Sequence, residues 1–183
     1  GFHTMPRIAY QPENLAEPAP LVDAIRARRG GRLLHLDRML LHSPPLAAGW
    51  NGYLKAVRTE LALDPRLREL AMCAVASLNG ADYEFHHHAP EFLRAGGTAP
   101  QVEALREPEQ ALQQAGLFDD TALAALRLTL EMTQRVAVAD QTFAAVHAAL
   151  GDRQTVELVG VVSTYNMVSR FLVALGVEPE SAG

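Results

Sequence analysis

The sequence predicts an all-α fold, a compact multi-helix bundle, and three observations carry that reading. Apolar residues recur three and four apart over most of the 183-residue chain, the spacing of helices with one buried face. Prolines and aspartates open these stretches, and glycines or asparagines close them. No stretch alternates apolar and polar residues as a half-buried strand would. Six to eight helices are expected, in a single helical domain over residues 19–183 behind an extended arm over residues 5–18. The residues GFHT before Met5 read as an expression remnant outside the fold.

The arm holds Pro6, Pro12 and Pro18 without any period, so it either wraps a partner subunit or lies on the surface. A first helix starts at Pro20, buries Leu21, Val22 and Ile25, and stops at Gly30-Gly31. Leu33 to Leu41 is a second apolar-periodic piece, halted by Ser43-Pro44-Pro45. From Pro45 to about Leu61, Trp50, Leu54 and Val57 mark a third, in which Gly49 and Gly52 let another element come close. Asp64-Pro65 then pairs an N-cap with proline at the first helical position. That helix carries Leu67, Leu70, Ala74 and Val75 and ends at Asn79-Gly80.

The next helix restarts at Asp82 as N-cap and runs to Ala95. Pro90 inside it deletes one backbone hydrogen bond and predicts a bend. Gly96-Gly97 ends it, and Thr98 with Gln101 forms a capping box for a short helix. Glu107 to Gly116 reads as a helical surface segment. Asp120 caps a helix to Val136, Asp140 caps another to Gly151, and Asp152 starts a last one that stops at Gly176. A faint internal echo relates Glu69–Asn79 to Glu157–Asn166.

Net charge is −5 and the basic residues are scattered, which argues against nucleic acid as a partner. No apolar run approaches the roughly 20 residues that span a bilayer, and no signal-peptide pattern is present. Cys73 is the only cysteine, so neither a disulfide framework nor a CxxC redox pair can form within one chain. It sits among Met72, Ala74 and Val75 and reads as a buried, inert thiol in a cytoplasmic protein.

Titratable side chains gather in one stretch, Leu67 to Gly97. Glu84 and His88 are four apart on one helix, so they meet on one face. A carboxylate there fixes one imidazole nitrogen and leaves the other to give or take a proton. His87 neighbours the same face, whereas His86 points elsewhere. Glu69 either swings onto this face through the hinge at Asn79-Gly80 or pairs with Arg66 or Arg68. A solvated polar helix face is the plain alternative for the whole cluster. Glu84-x-x-His87 is half of a di-iron carboxylate motif, but that site needs the motif twice. No metal and no cofactor are therefore expected. His35, His42 and His147 are isolated and read as structural or exposed.

This stretch resembles the carboxymuconolactone decarboxylase and alkylhydroperoxidase-D-like superfamily. Its peroxidase branch uses Glu, eleven residues, Cys-x-x-Cys, three residues and His. On this chain the Glu falls on Glu69, the His on His88, and the two cysteines on Ala81 and Glu84. The run Ala89–Gly97 fits the family's ending, and YNMVSRFLVALGV is similar to the C-terminal helix of longer members. With both cysteines replaced, the resemblance implies the decarboxylase type: a cofactor-independent lyase acting by proton transfer on a small organic acid or lactone. It gives His88 the general acid–base role, makes Glu84 its orienting partner, and makes Glu69 a relay or substrate-polarising group. It also implies a homo-oligomer, a trimer or hexamer or else a dimer. Arg94 or Arg170 would hold the substrate carboxylate. The alternatives are an antioxidant protein of the alkylhydroperoxidase class using Cys73 alone, and a non-catalytic oligomeric binding scaffold.

Overall fold

Several helices of the computed structural model, which describes residues 5–181, open on a proline in the first turn or close at a left-handed glycine. The expected remnant at residues 1–4 lies outside the described residues. Among these there are nine helices and no strand, so the chain is all-α as its periodicity predicts. They fall into two compact units, Ala62–Phe171 and the segments that flank it.

In the flanking unit, α1 (Ala19–Arg28) buries Val22 and Ile25, α2 (His35–Leu40) buries Leu36 and Met39, and α3 (Pro44–Thr59) buries Ala47, Trp50, Leu54 and Val57. Pro44 takes the first helical position of α3, one residue before the expected start. The arm is bound within its own unit. Arg38 Nε donates to the Gln11 carbonyl at 2.7 Å, the Arg7 N–H donates to the Leu175 carbonyl at 2.9 Å, and the Tyr10 ring stacks on His35 at 4.3 Å. His35 Nδ1 also lies 2.8 Å from the Glu178 carbonyl, and His42 Nε2 lies 2.7 Å from that of Ala9, so both histidines are structural.

The unit Ala62–Phe171 is organised around α4 (Pro65–Leu78), whose residues from Glu69 through Ala76 are all buried. A helix apolar on every side must be covered on every side. Here α5 (Asp82–Arg94) and α8 (Asp120–Arg135) pack against it, with the short α7 (Pro108–Ala111). Burying a side chain such as Leu70 or Met72 contributes about 1.5–3 kcal/mol each. Asp64 caps α4 through the Arg66 N–H at 2.8 Å, and Thr98 and Gln101 close a capping box on α6 (Ala99–Ala104), both as expected.

Three local expectations are corrected. Ala81, not Asp82, is the N-cap of α5, and Asp82 is its first helical residue. Asp119, not Asp120, caps α8, because its carboxylate is the one placed to accept the Ala122 N–H, at 2.8 Å. Only Pro108–Ala111 is helical within the segment 107–116. The last two expected helices run on as α9 (Asp140–Leu175), broken at Gly151, whose φ of 76° and ψ of 179° are not helical. By length and composition α9 is apolar enough to cross a membrane, with mean hydropathy 1.5 over its best window. Polar residues interrupt this helix, so it holds no unbroken apolar run of that length. Leu158, Val161, Val162, Tyr165 and Val168 on this helix are fully buried in the protein, which is how the core helix of a folded unit passes the same test.

Candidate functional site

The reversal between α4 and α5 positions the titratable groups. Gly80 takes a φ of 64°, a left-handed conformation that glycine adopts without a Cβ penalty. The chain turns there and lays α5 along α4. Glu69, Glu84 and His88 consequently point into the same packed layer, with only 3%, 2% and 7% of their surfaces exposed.

His88 is clamped between two carboxylates. Its Nδ1 donates to Glu69 Oε2 at 2.7 Å, and its Nε2 lies 3.0 Å from Glu84 Oε2. The Nδ1 contact is a hydrogen bond and the Nε2 contact is at ion-pair distance, and two flanking carboxylates favour the charged ring. Burial by itself pushes the His88 pKa down. The Tyr165 side chain and the contacts with Glu69 and Glu84 push it up, and the result lies well above 6.5. The Tyr165 ring meets the imidazole edge-on, at 5.0 Å between centroids.

The three residues singled out from spacing thus come together, with one correction. Glu84 is expected to fix the ring and leave the second nitrogen free; instead Glu69 holds Nδ1 by a hydrogen bond, and Glu84 Oε2 faces Nε2 at 3.0 Å. The alternative partner of Glu69 is present as well: Arg68 Nη2 stands 3.4 Å from Glu69 Oε1, with 16% of the Arg68 side chain exposed. His87 packs its ring on Tyr83 at 4.5 Å, one turn back on α5.

Arg94 and Arg170, expected to hold a substrate carboxylate, are committed elsewhere. Arg94 pairs with Glu91 at the surface, and Arg170 Nη1 donates to the Asn166 side chain at 2.9 Å. Arg68 and Tyr165 are the contributors that spacing did not assign to the site. The only signal for Arg68 was its adjacency to Glu69, and Tyr165 lay unmarked in the echo segment. Two cavities, of 320 Å³ and 430 Å³, open on this unit. The first is lined by His86, Arg106 and Phe85, the second by Arg127, Glu131 and Thr142, and neither by Glu69, Glu84 or His88.

Cys73 is one helical turn beyond Glu69 and fully buried. Burial first, then the charges of Glu69 and Glu84, push its thiol far above the ordinary range. A nucleophilic thiolate needs the reverse, a cationic and accessible setting. Among the described residues no group of His, Cys, Asp and Glu is arranged to hold a metal ion.

Residues 44–131 match the carboxymuconolactone decarboxylase family. No curated protein matches the chain. In fold the chain is similar to an alkylhydroperoxidase AhpD core protein, peroxidase-related and uncharacterized, from Ralstonia eutropha JMP134. The TM-score is 0.82 at 17% identity, over 98% of this chain and 94% of that one. It is also similar to an uncharacterized peroxidase-related protein from Silicibacter sp. TM1040, with TM-score 0.77 and 15% identity over 91% and 86% of the two chains. A variant of the debrominase Bmp8, in complex with 2,3,4-tribromopyrrole, gives a TM-score of 0.79 at 16% identity over 98% and 95%. At such identities the likeness is one of fold. The family match over residues 44–131, together with the shared fold, supports the resemblance to the carboxymuconolactone decarboxylase and alkylhydroperoxidase-D-like superfamily.

Proposed function

We propose that the protein is a cofactor-independent lyase of the carboxymuconolactone decarboxylase type, acting on a small organic acid or lactone. The observation that carries this reading is the buried His88 ring set between Glu69 and Glu84. In decarboxylation the bond to the carboxylate breaks, and its electron pair delocalises into the lactone carbonyl. The resulting enolate is then quenched by a proton. His88 supplies that proton, and Glu69, at 2.7 Å on Nδ1, holds the ring and balances its charge. The contact from Nε2 to Glu84 is the longer of the two at 3.0 Å, and it is the one the substrate displaces.

The antioxidant alternative rests on Cys73, whose burial and upward-shifted thiol work against it. A scaffold that had lost its activity would have no need to keep Glu69 and His88 in contact. A homo-oligomer in the cytoplasm goes with the lyase reading, supported by Val156, 71% exposed, and Met167, 42% exposed, on the outer face of α9. Sedimentation would tell a trimer or hexamer from a dimer.

Decarboxylation of aromatic-catabolism lactones by wild type and His88→Ala tests the reaction. Wild type should turn over at least one of them, and the variant, checked for folding by its melting curve, should be slower by about 10²–10⁴-fold. Turnover untouched by the substitution would remove His88 from the mechanism.

A further inference from the structure

A guanidinium can close a side-on fork on a carboxylate through Nε and Nη2, and one such fork is seen in this protein. Arg29 holds both oxygens of Asp37, with Nε and Nη2 each at 3.2 Å. Arg68 presents the same fork beside the His88 clamp and leaves it open. Its Nη2 reaches Glu69 Oε1 at a long 3.4 Å, and its Nε is buried with no hydrogen-bond partner. Glu69 cannot turn to close the fork, because its other oxygen is engaged by His88 Nδ1 at 2.7 Å.

An unpartnered buried donor on a charged group is costly, and native structures seldom leave one without a role. Guanidinium is also the group best shaped for planar, bidentate recognition of a carboxylate.

We infer that Arg68 is the anchor for the carboxylate of an acidic ligand, received on its open Nε–Nη2 fork next to the His88 clamp. The inference deepens the lyase reading by naming a monocarboxylate end as what the site recognises. It replaces Arg94 and Arg170, which are committed to Glu91 and Asn166.

Acetate is a minimal carboxylate probe, and acetamide is its uncharged match. The Arg68 Nε–H resonance, assigned by its absence in Arg68→Lys, should shift saturably as acetate is added to the full-length protein and stay put with acetamide. Arg68→Lys keeps the charge but loses the fork, and Arg68→Gln loses both. Monitored through the His88 imidazole signals, acetate should bind these variants about tenfold more weakly or worse, with melting curves confirming that they fold. An Nε–H signal indifferent to acetate, or variants that bind it as wild type does, overturns the inference. The two readings fail separately. Acetate binding lost with Arg68, in a protein that decarboxylates no lactone, keeps the anchor and removes the lyase. Lactone turnover with unchanged KM in Arg68→Gln keeps the lyase and removes the anchor.

Discussion

Replacing Glu69 with glutamine tests the clamp most directly. In the folded chain His88 is buried, and burial opposes its charge. Tyr165, Glu69 and Glu84 nevertheless hold its pKa well above 6.5. The unfolded chain releases the same proton near 6.5. The raised value means that the stabilisation is fully present below pH 6.5 and is lost as pH rises through the folded-state value. In between, the folded chain holds one proton more than the unfolded chain, and unfolding free energy falls by about 1.4 kcal/mol per pH unit. Above the ordinary thiol range Cys73 adds a loss of the same sign, because its buried thiol stays protonated when the unfolded one ionises. The clean window therefore runs from about pH 6.5 to about 8. Glu69→Gln keeps an acceptor for Nδ1 but removes one of the two negative charges. It should lower the His88 pKa and flatten the slope in the upper part of that window. It should also cost about 3 kcal/mol near the lower end, at the mild edge of what breaking one side of a buried ion pair costs. Urea unfolding in small pH steps reads the slope, and an imidazole NMR titration reads the pKa. A wild-type stability that is flat across the window, or a variant that keeps the whole slope, refutes the clamp.

Other parts of the structure predict equally definite outcomes. Iodoacetamide should label Cys73 only as fast as the protein unfolds, since the thiol is buried and pushed far up; rapid labelling of native protein would restore the antioxidant alternative. Gly97→Ala should destabilise by about 2 kcal/mol through overpacking, because a Cβ there would stand 2.3 Å from the Phe92 ring; a melting curve unchanged by the substitution contradicts that packing. Glu131 accepts the Ala139 N–H at 2.8 Å and the Thr142 hydroxyl at 2.6 Å, pinning α8 to the start of α9. Glu131→Ala should cost about 2–3 kcal/mol in urea unfolding for these charge-assisted bonds. Burial alone would raise the Glu131 pKa, but Thr142 and Ala139 lower it, so its contribution is present above the ordinary glutamate range and fades as acid titrates it. A loss of stability in the variant that is equal at all pH values would show that the carboxylate charge is not involved.

The helices were legible because their signals are local. Asp64-Pro65, Thr98 with Gln101, and the glycines at residues 80 and 151 act within a few residues of themselves, and the structure uses each where spacing put it. Adjacent aspartates at 119 and 120 defeated the same logic, since either can serve as a cap and only the backbone geometry of the first turn chooses between them. The site divides along the same line. That Glu84 meets His88 follows from a four-residue spacing on one helix, and that Glu69 can join them follows from the reversal at Gly80. Spacing says which groups can meet but not which of two carboxylates hydrogen-bonds the ring, and in the fold it is Glu69. Tyr165 reaches His88 from a helix far along the chain, and no local pattern marks such a contact. Arg68 was visible only as a rival for Glu69. In the folded protein the rivalry resolves without a winner, since one carboxylate oxygen serves His88 and the other faces Arg68. That division of Glu69 between two cations leaves the Arg68 fork open, a property of one side-chain rotamer that a sequence does not record.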